Sequence, residues 1–275
     1  MRRNFFEMLS NREFDPQKEF ETLWHLFRDE KCTTANRQWM SVAEYINTFH
    51  FRDFPFRGSF TSLEALTEEL EISSYFTVDV NKLLLFCELI IAVTPGYIIR
   101  DTRAREQIKT ISGNIEYILE KTNHEIKVDE DKRSIIVEKN KSATLAAELV
   151  DDTTVAFDII EYNHFALKGH LAEKKKLLVS IAAHIEPILK SKALQNAGYK
   201  KLESDTGFVL NNFHIRHNNK EGAKAQDYIK TLSDNELEEW YDHAYELMLS
   251  VIIINDYLAV GKELADLKTK YNWKT

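Results

Sequence analysis

His124-Glu-Ile-Lys-Val128 and Ser134-Ile-Ile-Val-Glu-Lys139, joined by the polar run Asp129-Glu-Asp-Lys132, form the stretch on which the fold class turns. β-Branched residues on either side of an acidic, turn-forming run predict a β-hairpin. It is the clearest strand signal in the chain; elsewhere apolar residues recur at spacings of three and four, the period of a helix with one buried face. The fold class is therefore mainly α, helical bundle halves with a small β-hairpin insertion. Three regions follow: a helical region over 1–123, the hairpin-containing insertion over 124–163, and a second helical region over 164–275.

Upstream of the hairpin, Thr102 to Lys121 reads as an outer helix with Ile108, Ile111, Ile115 and Ile118 on one face. Asp79 caps a more apolar helix that Pro95-Gly96 ends, and Glu88 inside it needs a partner such as an arginine if it is buried. Thr61-x-x-Glu64 has the form of a capping box, Trp39 to Ile46 that of a short helix, and Asp15-Pro16 that of a helix start. The aromatic stripe Phe20, Leu23, Trp24 and Phe27 belongs to a core, and Phe49 to Gly58 reads as an irregular segment plugging into it.

Downstream, the alanine-rich segment from Ala143 and the run from Val155 to Tyr162 favour helices. Leu171, Leu177, Leu178, Ile181, Ile185 and Ile188 make a longer one, kinked at Pro187. Between His164 and Lys201 eight lysines face only two glutamates, and Lys168, Lys174, Lys175 and Lys176 are the candidates for contacting RNA phosphates; the alternative is a solvated helix face. The last helix opens at the capping box Ser233-x-x-Glu236 and runs into Val251-Ile-Ile-Ile254.

With 36 basic and 44 acidic residues the formal charge is −8, which argues against nucleic-acid binding over the whole surface. Two cysteines give no disulfide framework, the N-terminal residues lack the apolar core of a signal peptide, and Leu247 to Val260 carries Ser250, Asn255 and Asp256. A cytoplasmic protein without membrane contact is the expectation. Charge patterning leaves a local basic face open.

Chemistry concentrates in Asn211–Gly222, where two histidines, one arginine and four asparagines lie within twelve residues. If Asn212 to Asn219 is helical, His214 and His217 share a face and Arg216 pairs with Asn219. Metal-free RNA cleavage would use an imidazole to move the 2′-hydroxyl proton and an arginine to stabilise charge on the phosphate. A metal site has only two histidines and a carboxylate such as Asp242, so neither metal nor cofactor is expected. A third use is a polar network that ties helices together.

Ile215-Arg-His-Asn-Asn-Lys-Glu-Gly222, followed by Leu237-Glu-Glu-Trp-Tyr-Asp-His-Ala-Tyr245, resembles the C-terminal region of bacterial abortive-infection proteins, and Glu161-Tyr-Asn-His-Phe-Ala-Leu-Lys-Gly169 is similar to the same group. Such proteins are placed with the HEPN superfamily, all-α proteins of which many are metal-independent ribonucleases active in phage defence. Family ribonucleases carry an arginine and, four to six residues on, a histidine; here His217 follows Arg216 at once and the next histidine is His243. The resemblance implies Arg216 as phosphate stabiliser, His217 as general acid and base, Asn218 and Asn219 as positioning groups, RNA as substrate, and a homodimer with a composite site. Without a working pair, the same scaffold implies a non-catalytic module that binds a protein or nucleic-acid partner.

Overall fold

The computed structural model describes residues 13–33, 38–73, 76–94, 104–216, 228–271 and 273, and the chain divides into two compact units, 1–136 and 137–275. Helix makes up 69% of it, with two small two-stranded sheets, so the protein is mainly α with a small hairpin.

In the first unit, α1 (Pro16–Trp24) starts where Asp15 accepts from the backbone N–H groups of Gln17 and Lys18. It continues as a π-helical turn, His25–Asp29, which places Phe27 in the same core as Phe20 and Leu23. All three are fully buried, and Phe20 and Phe27 lie 4.7 and 6.0 Å from the ring of Phe86. Phe86 belongs to α4 (Val80–Val93), capped by Asp79. Between them come β1 (Lys31–Thr33), β2 (Trp39–Ser41), α2 (Val42–Phe49) and α3 (Leu63–Glu69).

Trp39 to Ser41 is a strand, not the start of a helix: it pairs antiparallel with β1, Cys32 opposite Met40. The helix begins one residue later because Ser41 and Glu44 form a reciprocal capping box. Ser62 rather than Thr61 caps α3, accepting from Ala65 N–H at 3.1 Å. In the aromatic segment Phe51 is the buried residue, while Phe49 and Phe56 stay exposed.

Next come α5 (Ala104–Lys121), β3 (His124–Val128) and β4 (Ser134–Glu138). The hairpin turn is closed by Asp129, whose carboxylate accepts from Arg133 N–H at 2.7 Å and Arg133 Nε–H at 2.9 Å, while Lys132 takes a left-handed conformation at φ 62°. Glu88 is partly buried and accepts from the backbone of the hairpin: Ile136 N–H donates to it at 2.7 Å. The boundary between the units falls just after, within β4.

The second unit holds α6 (Lys141–Glu148), α7 (Thr153–Glu161), α8 (Leu171–Ser191), the short α9 (Ala193–Asn196), α10 (Lys200–Asn212) and α11 (Asp234–Lys270). Pro187 lies inside α8 without ending it; Lys192, left-handed at φ 56°, does. The capping box at Ser233 and Glu236 opens α11. Tyr241, Ala244, Tyr245, Met248, Leu249, Val251 and Ile252 then recur on one face and pack with α6, α8 and α10 around a common core.

Among the described residues α11 is the one helix long and apolar enough to cross a membrane, and a third of its most apolar stretch is buried in the protein. That is weak evidence for a membrane, because the core helix of a soluble protein meets the same condition.

Candidate functional site

α10 ends at Asn212, so His214 lies beyond the helix rather than on one of its faces. Phe213 N–H still bonds back to Val209 at 3.0 Å, His214 then turns left-handed at φ 56°, and Arg216 N–H returns to the Leu210 carbonyl at 2.9 Å. The turn buries Phe213 and Ile215 and leaves the Arg216 side chain 23% exposed. Its Nε sits 3.8 Å from a carboxylate oxygen of Glu186 on α8, an oxygen that also accepts from Lys190 at 2.9 Å. His217, Asn218 and Asn219 lie outside the described residues.

The four candidate lysines do not share one environment. Lys168 and Lys176 are exposed and Lys175 is half-buried, but Lys174 points into the unit. Its ammonium lies 2.8 Å from Glu238 and 2.7 Å from Asp242, both on α11, and 5.3 Å above the ring of Tyr162. A charge so held by two carboxylates is not on offer to a phosphate, and Lys174 leaves the set of RNA-contacting candidates. The other three remain solvent-facing to different degrees.

Around Lys174 the polar groups interlock. Tyr162 donates to Asp242 at 2.8 Å and stacks on Tyr245 with centroids 4.1 Å apart; Tyr245 donates to the Ile159 carbonyl at 2.6 Å and accepts from Asn163 at 2.7 Å. Asn140 bonds Glu246 at 3.1 Å, and Gly169 N–H donates to Glu238 at 2.9 Å. Burial pushes the Tyr162 hydroxyl far up, with the Asp242 charge adding to it, so the phenol stays a donor. For Glu238 burial also pulls upward, but hydrogen bonds from Lys174 and Gly169 and the positive charge of Lys174 outweigh it and hold the carboxyl below its usual value. This is a satisfied network that locks α7 and α8 onto α11.

A second feature was not evident from residue spacing: a groove of about 500 Å³ between α10 and α11. Phe208 and Trp240 line it with 48% and 38% exposure. Trp240 is fixed from beneath by Phe213, stacked at 4.9 Å, and from the side by His243, edge-on at 5.5 Å. Asp205 and Glu246 contribute carboxylates to the same lining, and Leu247 an apolar wall. The signal for it in the sequence is small: Phe208 opens the apolar run of α10 but stays on its outer side, and Trp240 and His243 stand one turn apart on α11.

Among the described residues no three His, Cys, Asp or Glu side chains come together in a way that could hold a metal ion. Asp242, the carboxylate considered as a third ligand, is engaged with Lys174 and Tyr162. Comparison with protein-family models, with curated proteins and with solved structures finds no match to the chain.

Proposed function

We propose that the second unit is a helical binding module that takes an apolar, basic segment of a partner protein into the groove between α10 and α11. The observation that carries this reading is the groove's make-up: two exposed aromatics, Phe208 and a Trp240 held in place by Phe213 and His243, with Asp205 and Glu246 beside them. Rigid aromatic side chains supply contact area at low entropic cost, and carboxylates at their margin favour lysine or arginine over phosphate. An amphipathic helix with apolar anchors one turn apart has the complementary shape. The Arg216 turn, tied to Glu186 and to the end of α10, then serves as a brace that sets the groove's wall.

Calorimetric titration with two synthetic helical peptides of equal length, one of leucine and lysine and one of leucine and glutamate, tests this. Micromolar binding of the lysine peptide, weakened about tenfold by Asp205→Asn with Glu246→Gln and lost in Trp240→Ala, is expected. Equal affinity for both peptides, or for neither, refutes it.

A second reading, metal-independent RNA cleavage with Arg216 as phosphate stabiliser and His217 as proton-transfer group, draws support from the left-handed His214 turn. Backbone held in that region by a residue other than glycine is often kept for function, and this turn delivers Arg216 to a partly exposed position. Lys175 and Lys176 on α8, and Lys168 just before it, would assist. Total RNA incubated with the protein in EDTA distinguishes the readings: cleavage that disappears in Arg216→Ala and His217→Ala establishes the ribonuclease, and intact RNA removes it.

A further inference from the structure

The distal part of α11 carries a surface that neither the groove nor the lysine network uses. Ile253, Ile254 and Leu258 still pack against the core, and every residue from Ala259 to Tyr271 is exposed. From Tyr257 onward the exposed large apolar residues do not scatter. Tyr257, Val260, Leu264, Leu267 and Tyr271 recur at alternating steps of three and four, with exposures of 64%, 45%, 50%, 51% and 70%. That is the narrow two-in-seven stripe of a coiled-coil seam, not the broader face a globular helix buries.

We infer that this stretch of α11 is a self-association seam: two copies of the chain pair it as a parallel, in-register, two-stranded coiled coil. With Tyr257, Leu264 and Tyr271 at the a positions, Val260 and Leu267 fall at d, Glu263 at g and Lys268 at e. In a parallel pair the g residue of one helix faces the following e residue of the other, so Glu263 meets Lys268 of the partner subunit, and two-fold symmetry makes the contact twice. Asp256, the preceding g residue, faces Gly261 and meets no like charge. The seam is thus complementary to itself in spacing and in charge, which is what singles out a second copy as the occupant.

Two further features agree. Gly261 lies in the helix interior with no atom within 4 Å of where a Cβ would stand, and a helical arm of this length with such a glycine is weak in water without a partner. A lipid bilayer is a poor occupant, because Lys262, Glu263, Asp266, Lys268 and Lys270 crowd the same stretch and hydrocarbon excludes them. The seam stands independently of the groove reading, since its residues are not among those lining the groove.

Sedimentation equilibrium on the full chain at micromolar concentrations, with the circular dichroism melt as a control on folding, tests the inference. Wild type is expected to dimerise, and Leu264→Asp to weaken the dimer at least about tenfold while the protein still melts cooperatively. Glu263→Lys alone and Lys268→Glu alone each set like charges against one another and weaken homodimers. Mixing those two variants restores opposite charges at both contacts and recovers the dimer. A monomer at all concentrations, a dimer indifferent to Leu264→Asp or Lys268→Glu, or an arm that floats with phosphatidylcholine and phosphatidylglycerol vesicles while remaining monomeric, each overturns it.

Discussion

Lys174→Ala is the substitution that the network's geometry constrains most tightly. Removing the ammonium leaves Glu238, 16% exposed, with the Gly169 N–H and the more distant charge of Lys168, whereas Asp242, 51% exposed, keeps water and the Tyr162 hydroxyl. Breaking a buried pair typically costs about 3–5 kcal/mol, but half of this arrangement is solvated, and exposed pairs are worth only about 0.2–1 kcal/mol. The Glu238 side therefore dominates, and a loss of roughly 2–3 kcal/mol is expected. At about 4 °C per kcal/mol for a unit of this size, that is a fall in Tm of about 8–12 °C.

Acid should close the gap. The folded Glu238 carboxyl lies below its usual 4.5, so its contribution is full above that value and is lost as pH falls through the folded one. Lys174→Met combined with Glu238→Gln removes both charges, and is expected to recover most of the lost stability. Differential scanning calorimetry from neutral to acidic pH reads all three quantities. A loss under about 1 kcal/mol for Lys174→Ala, or a difference from wild type that does not narrow in acid, would refute the argument that this lysine pins α8 to α11.

Two further outcomes are expected from residues away from the network. Ser233→Ala removes the side chain that accepts from Glu236 N–H, and should cost about 1 kcal/mol in a chemical denaturation series with an unchanged slope. Cys87 is fully buried and burial pushes its thiol far up, so native protein should titrate with Ellman's reagent at Cys32 alone and release the second thiol only on unfolding.

The helices and the hairpin were readable wherever local chemistry and periodicity agreed. Ser233-x-x-Glu236 announced α11, and the Asp129 run announced the β3–β4 turn, because in both cases one side chain closes the backbone geometry within four residues. β1 and β2 were not readable: three residues each are too short for an alternation to declare itself, although Ser41-x-x-Glu44 already marked where α2 begins.

At the candidate site the difficulty was different. Lys174, Lys175 and Lys176 resemble one basic patch in a linear sequence, yet a helix turns about 100° per residue, so three neighbours cannot share a face. Leu171, Lys174, Leu178, Ile181 and Ile185 stand at steps of three and four, and that stripe places Lys174 with the core. Nothing within Asn211–Gly222 signals that α10 stops at Asn212. The stop depends on burying Phe213 and Ile215, a tertiary outcome that local propensity does not encode.

The position of α11 in the chain bears on how the second unit comes to be made. Its buried face, Tyr241 to Ile252, completes a core to which α6, α8 and α10 all contribute, so those helices leave the ribosome with their apolar sides uncovered. The first unit can close around Phe86 while this is happening, but the second must wait until α11 has been synthesised and released from the exit tunnel. Nascent chains arrested between α10 and α11 should therefore be the ones on which ribosome-associated chaperones dwell longest.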